Sequence, residues 1–289
     1  MQAFKNAAQT GRYVNCFLKK YATFCIKREV GYYIQDPNFL KLINKFLKAG
    51  ILEEGEYKAS DEGSGQGGNI SPILANIYMH HVLMLWYEAY YRKRGRGMNF
   101  LVNYADDFIA GFEHKEEAER FYWELQVRLA KFGLEIETSK SRLLEFGRYA
   151  KERRKRRGER KPETFNFLGF TFHCGTNSKG RYCVIPRTSS KRFSKRLKEM
   201  NQWLKENRNQ PLKILMKTLN QKLVGHYRYY GVTYNMQMLD KYYYYVVNLL
   251  FKWLNRRSNK RSYTWEQFHM MLDYYPIAKP KRYYNLYYG

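Results

Sequence analysis

The chain is 289 residues long and carries 52 lysines and arginines against 26 aspartates and glutamates, a formal charge of +26 at neutral pH. Hydrophobic residues make up 44% and aromatic residues 18%, which excludes a disordered basic tail and leaves material for one or two packed domains. A polycation of this size collects nucleic acid or another anionic surface wherever its charges share a face, so anionic partners are expected. No apolar run of about 18 residues is present, so no helix spans a membrane, and Met1 to Gly11 lacks the apolar segment of a signal peptide. The expectation is a cytoplasmic protein without a membrane partner. Cys16, Cys25, Cys174 and Cys183 are too few and too scattered for a zinc site or a disulfide framework.

Residues 1–35 show no clean period of two or 3.6 and stay unassigned. Asp36-Pro37 then supplies an N-cap and a proline at the first helical position, and Phe39, Leu40, Ile43, Phe46 and Leu47 form one face of a helix that Gly50 stops. A glycine-rich stretch from Gly63 to Gly68 precedes Ser71-Pro72, which opens a long apolar helix through Ile73, Leu74, Ile77, Tyr78 and Leu85. Two apolar runs, Phe100 to Val102 and Phe108 to Ala110, flank Tyr104-Ala105-Asp106-Asp107 and predict a hairpin with the acids at its tip. A helix marked by Ala118, Phe121, Leu125, Leu129 and Phe132 ends at Gly133, and strands are predicted at Leu134/Ile136 and at Leu143/Leu144/Phe146. In Lys151 to Lys161 eight of eleven residues are basic, which reads as a solvated loop or as a nucleic-acid contact.

Strands are predicted again over Phe165 to Val184, where Cys174 and Cys183 flank an Asn177 to Gly180 turn and could face each other across a hairpin. Beyond them the pattern is helical. Phe193, Leu197, Met200 and Leu204 form one stripe, Leu212, Leu215, Leu219 and Leu223 a second, and Leu239, Tyr242, Val246, Leu250 and Trp253 a third. Thr264 and Gln267 have the spacing of a capping box. The fold class is α+β, with an antiparallel sheet and packed helices first and an all-helical region after it.

Adjacent aspartates among aromatic and β-branched residues repel each other and need compensation. Neighbouring side chains on a straight strand point to opposite faces, so both carboxylates reach one site only at the tip of a turn. Hard carboxylate oxygens suit Mg2+, which shares its shell with water and substrate phosphates. Two such ions, about 3.5 to 4 Å apart, would activate a 3′-hydroxyl and stabilise a leaving pyrophosphate.

The tetrapeptide Tyr104 to Asp107 resembles the YADD signature of reverse transcriptases, above all those encoded by bacterial group II introns. Gln66-Gly67-Gly68 with Ile70-Ser71-Pro72, Gly133 to Lys140, and Phe167-Leu168-Gly169-Phe170 resemble three further blocks of that family in the same order. Leu219 to Leu223, Gly225-His226-Tyr227, Tyr229-Tyr230-Gly231 and Phe251 to Arg257 resemble its thumb and maturase-specific region. The resemblance covers Asp36 to the C-terminus. It implies a partial polymerase palm over 36–186 and a thumb and maturase-specific region over 187–289, and leaves 1–35 unassigned or rearranged.

By this resemblance Asp106 and Asp107 are the catalytic, Mg2+-binding carboxylates, and Tyr104 and Ala105 shape the turn. Gln66, Gly67 and Lys140 lie by nucleotide and template, and Leu168 and Gly169 lie against the primer. The implied partners are an RNA template with its DNA primer and the group II intron RNA. Arg153, Arg154, Arg156, Lys191, Arg192, Lys195, Arg196, Arg256 and Arg257 are candidates for RNA phosphates, and Tyr227 and Tyr230 for stacking on bases. His226 is expected to be a packing residue, and Asp36 a helix cap. The family places another catalytic aspartate upstream of the first helix, whereas residues 1–35 here contain no aspartate and a single acid, Glu29. The expectation is therefore an N-terminally truncated member that does not synthesise DNA alone. The alternatives are a non-catalytic RNA-binding splicing remnant and a decayed product. Self-association stays open.

Overall fold

The computed structural model describes residues 2–7, 35–48, 51–53, 56–58, 71–257 and 263–287. The chain divides into two compact units, Met1–Glu163 and Thr164–Gly289. The division falls ahead of the expected 186/187 boundary, because the strands after Thr164 pack on the helices that follow them.

In the first unit a strand at Gln2–Ala7 (β1) lies in a stretch without a readable period. Helix α1, Pro37–Lys48, follows as predicted, and Asp36 caps it by accepting a hydrogen bond from the Asn38 amide at 2.8 Å. A short hairpin joins Ile51–Glu53 (β2) to Glu56–Lys58 (β3). Helix α2 starts at Ser71, runs to Met79 and continues through π-helical turns at His80–Met84 and Glu88–Arg92, with an α turn at Leu85–Tyr87 between them. The wide turns free backbone carbonyls, and Arg128 donates to those of Val82 and His81 while its guanidinium lies over the rings of Trp86 and Phe132.

Strands β4, Asn99–Tyr104, and β5, Asp107–Phe112, form the predicted hairpin. Helix α3, Lys115–Lys131, ends where Gly133 takes φ 65° and the Phe132 and Gly133 amides bond back to Leu129 and Ala130. The predicted strand at Leu134/Ile136 does not form: Leu134 is buried in the core from an irregular segment. Strand β6 is Arg142–Glu145. The sheet order is β4-β5-β1-β6, so β1 lies in its interior, antiparallel to both neighbours. Phe108, Phe112, Phe121, Tyr87 and Tyr91 pack the core between this sheet and helices α2 and α3. The first part of the basic run is a short helix, α4, Ala150–Arg156. Arg157 beyond it pairs with Glu145 and Glu159.

The second unit opens with a three-stranded antiparallel sheet of β7, Phe165–Phe167, β8, Phe170–Thr176, and β9, Tyr182–Thr188. Cys174 pairs with Val184 and Cys183 with Gly175, so the two thiols are not directly opposite each other. Among the described residues four helices follow: α5, Ser190–Asn207; α6, Leu212–Tyr230; α7, Met236–Leu254; and α8, Trp265–Tyr274. The three predicted stripes are their buried faces. The Thr264/Gln267 box caps α8 with both of its hydrogen bonds, at 3.2 and 3.0 Å.

Asn235, fully buried between α6 and α7, fastens the sheet to the helices. Its side-chain oxygen accepts from the Thr188 amide at 2.8 Å, and its nitrogen donates to the Thr188 hydroxyl at 2.9 Å and to the Tyr230 carbonyl at 2.8 Å. His226 stacks on Tyr242 at 4.0 Å and lies 4.8 Å from Tyr230. It is the packing residue expected from the sequence.

Replacing Asn235 by alanine leaves the Thr188 amide buried and unbonded, and an expected loss of about 2 to 4 kcal/mol follows from the missing hydrogen bonds. Denaturant unfolding reads it. Burial, with a smaller contribution from Arg196, pushes the His226 imidazole down to about 4. Its neutral form therefore stabilises the fold fully above the unfolded value near 6.5, and that stability is lost as pH falls toward the folded value. Between pH 7.5 and 5 the expected loss is about 2 kcal/mol. Unfolding curves of the wild type and His226→Phe across that range check it, the variant being flatter.

Candidate active site and nucleic-acid interface

Tyr104 pairs with Asp107 across the β4–β5 turn, so Ala105 and Asp106 are the two turn residues. Ala105 takes φ 51°, a conformation that costs a side chain energy and that a tight hairpin requires. Both carboxylates are half-buried at this tip, and Tyr104 is 63% exposed. Directly opposed residues in an antiparallel pair share a face. Asp107 thus shares the open face with Tyr104, Val102 and Phe100, while Phe108, Ala110 and Phe112 point into the core. Phe100 lies across Gly111, where a Cβ would stand 2.3 Å from its ring. An apolar floor therefore leads along the hairpin to Asp107.

On the other side of β5, Ala7 of β1 is the residue opposite Asp107. The β1 sequence, Gln-Ala-Phe-Lys-Asn-Ala, contains no carboxylate. Among the described residues no group of three histidine, cysteine, aspartate or glutamate side chains could hold a metal. Two adjacent hard carboxylates fit Mg2+ in donor type, with the remaining shell left to water and phosphate.

Gln66 and Gly67 lie outside the described residues, as do Cys16 and Cys25. Lys140 is exposed in a turn closed by its own amide and that of Ser141 on the Glu137 carbonyl, at 3.1 and 3.0 Å. In the second unit Phe167 pairs with Phe170, and Leu168 and Gly169 between them have φ 48° and 80°. Positive φ at both residues is the requirement of a type I′ hairpin turn. The Tyr229 hydroxyl donates to the Leu168 carbonyl at 2.9 Å, the Ser189 amide donates to the Gly169 carbonyl at 2.9 Å, and a Cβ on Gly169 would meet the Tyr230 hydroxyl at 2.9 Å. A leucine held at φ 48° in such a turn is strained.

The candidate RNA residues separate by environment. Tyr227 is 1% and Tyr230 4% exposed. Their rings fill the helical core, with the Tyr227 hydroxyl donating to the Ala278 carbonyl at 3.1 Å, so neither presents a face to a base. Arg154 is paired with Glu159 and Glu163, and Lys195 and Arg196 share Glu199. Arg257 is partly buried, donates to the Gln210 carbonyl at 3.3 Å, and has its pKa lowered by burial. Arg153, Arg156, Lys191 and Arg192 are exposed, as is Arg256, whose guanidinium lies 5.5 Å over the Trp253 ring. The spacing of Lys195 and Arg196 to Glu199 on one helix is a pairing signal in the sequence, whereas the pairing of Arg154 with Glu159 and Glu163 depends on how the loop after α4 folds back.

Residues 18–172 match the family described as Reverse transcriptase (RNA-dependent DNA polymerase). The chain belongs to that family. Residues 190–270 of the chain match the group II intron, maturase-specific domain. The first match reaches back past Asp36, where the resemblance read from the sequence began. The group II intron-encoded protein LtrA of Lactococcus lactis subsp. cremoris is 51% identical over 49 residues, 17% of this chain and 8% of LtrA. Protein YkfC of Escherichia coli (strain K12) is 38% identical over 63 residues, 22% of this chain and 16% of YkfC. The matches thus cover under a fifth of the length of either relative. Apo telomerase from Candida tropicalis superposes with a TM-score of 0.46 at 15% identity, covering 94% of this chain and 44% of that one. No helix of the described residues is long and apolar enough to cross a membrane.

Leu168→Asn is expected to stabilise the reverse transcriptase chain by about 1 kcal/mol, since asparagine tolerates a positive φ that leucine does not. A rise in the urea midpoint at unchanged slope checks it.

Proposed function

We propose that this chain is the RNA-holding part of a group II intron reverse transcriptase and maturase, acting in the cytoplasm. In this reading its first unit offers an incomplete polymerase hairpin and its second unit holds intron RNA. Asp106 and Asp107 would hold Mg2+ at the hairpin tip. That ion, when bound, supplies charge neutralisation and Lewis acidity toward the primer 3′-hydroxyl and the nucleotide phosphates. Phe100, Val102 and Tyr104 form the apolar floor on which a primer-terminal sugar and base rest. Lys140 offers a solvent-exposed cation for triphosphate or template, and the Leu168-Gly169 turn a backbone surface for the primer strand.

The observation that carries the incomplete-hairpin reading is the strand beside the catalytic one: β1 ends at Ala7 opposite Asp107 and brings no acid. One neighbouring pair of carboxylates does not bridge two ions in the geometry that phosphoryl transfer needs, so DNA synthesis requires a further carboxylate that β1 does not supply. RNA holding does not depend on it. Lys191 and Arg192 stand in the first turn of α5, where no acid offsets the positive end of the helix dipole. Each cation is unfavourable there by about 0.3 to 1 kcal/mol, a cost that an RNA phosphate on the same helix end reverses.

With a primed RNA template and Mg2+, the chain alone is expected to give no nucleotide incorporation above that of Asp106→Ala. Incorporation that disappears with Asp106→Ala would overturn the incomplete-hairpin reading. Intron RNA is expected to bind equally well to both proteins. Lys191→Gln with Arg192→Gln should flatten the dependence of log affinity on log salt by about 2. Salt-independent binding would overturn the RNA-holding reading.

A further inference from the structure

Where α5 faces α7, Lys198 of α5 and Lys241 and Lys252 of α7 come together, cations that the sequence patterning did not group. Ser190, Ser194, Lys198 and Asn201 of α5 and Lys241, Tyr245, Asn248 and Lys252 of α7 line an open groove of about 750 Å³, floored by Phe193, Leu197, Met238 and Leu249. Its size lies within the range of about 300 to 1,000 Å³ of small-ligand sites. Among the described residues no acid lines it, and Glu199, the acid next to Lys198, is already paired with Lys195 and Arg196. Three lysines thus face one recess without a counter-charge in its lining.

The walls have the parts that an unpaired nucleotide needs. Tyr245 is 38% exposed and is braced edge-on by Phe193 at 6.3 Å and by Tyr244 at 5.7 Å, so its ring is held in place while part of it faces solvent. Asn201 is fixed by the Trp253 indole, which donates to its side-chain oxygen at 2.9 Å. That leaves the Asn201 amide hydrogens as donors. Asn248 is fixed the other way, its nitrogen donating to the Tyr244 carbonyl at 2.8 Å, which leaves its oxygen as an acceptor. One oriented donor and one oriented acceptor beside an aromatic ring suit the edge of a nucleobase, and the lysines suit its phosphates. A base stacked in a duplex cannot enter such a recess, so the groove selects single strands.

We propose that the groove between α5 and α7 is a subsite for an unpaired RNA nucleotide, its base stacked on Tyr245 between Asn201 and Asn248 and its flanking phosphates held by Lys198, Lys241 and Lys252. This inference rests on the RNA-holding reading of the second unit and names where on that unit a single-stranded segment sits. The groove sets specificity for unpaired RNA, whereas Lys191 and Arg192 hold phosphates regardless of pairing.

The test measures binding of the full chain to a fluorescent oligouridylate, to an RNA duplex of equal length and to the intron RNA, each over a salt series. Tyr245→Ala is expected to weaken oligouridylate binding about tenfold and Tyr245→Phe to leave it unchanged. Changing Lys198, Lys241 and Lys252 together to glutamine should flatten the oligouridylate salt dependence by about 2. Duplex affinity should stay at the wild-type value in Tyr245→Ala, which also serves as the check that the variant is folded. Oligouridylate bound by Tyr245→Ala and by the triple-lysine variant as tightly as by the wild type overturns the inference and leaves the RNA-holding reading standing. A wild-type chain that binds intron RNA but no single strand overturns it as well, and gives the groove to a protein segment. A wild-type chain that binds none of the three RNAs at low salt overturns the RNA-holding reading itself.

Discussion

The pairing of Tyr104 with Asp107 across a two-residue turn decides what the first unit presents to solvent. Side chains alternate along a strand, so a slip of one residue would turn Asp107 into the core and Phe108 out of it. Phe108, Ala110 and Phe112, all fully buried against α2 and α3, make that slip costly. The same apolar packing that holds the sheet together therefore keeps a carboxylate at its exposed end. The strained φ of Ala105 is part of this arrangement, because a looser turn would let the two acids drift apart.

In the second unit the controlling contact is polar. Asn235 meets the end of β9, the end of α6 and the start of α7 at once, and three of its hydrogen bonds are buried. Hydrogen bonds of fixed direction tie the sheet to the helices where apolar contacts alone would allow sliding. The Leu168-Gly169 turn is held from the same junction, since Tyr229 and Tyr230 stand at the end of α6. Core packing and the presentation of the turn are thus one problem with one solution.

Much of this was legible in the sequence, for reasons tied to particular residues. Helices α1, α3 and α5 to α7 have clean apolar periods, α1 and α8 have caps readable as Asp36-Pro37 and Thr264/Gln267, and the β4–β5 hairpin has apolar runs on either side of its acids. Strand β1 was invisible because its identity depends on pairing with β5 and β6, both about a hundred residues or more away along the chain. The predicted strand at Leu134/Ile136 failed for the converse reason: burial of Leu134 needs an apolar side chain but no strand partner. The turn that carries Asp106 and Asp107 was legible from the apolar runs on either side of it. The burial of Tyr227 and Tyr230 was not legible, because a tyrosine that fills a core and one that meets a base look alike in sequence. The cations of the α5–α7 groove come from two helices some forty residues apart, and only the packing brings them to one recess.

The wide turns of α2 set the phase of the helix that backs the β4–β5 hairpin. Its buried ladder runs Leu74, Tyr78, Leu83, Tyr87, Tyr91, in steps of four, five, four and four. At 100° per residue a regular α-helix would rotate these five side chains through about 260° beyond four full turns, winding the ladder around the barrel of the helix. The two π-helical stretches take back part of that rotation. Tyr87 and Tyr91 consequently lie parallel, 6.3 Å apart, and both meet Phe121 edge-on. A helix phased in this way lies along the sheet rather than winding off it, and the hairpin gains a straight rail of aromatic rings for its support.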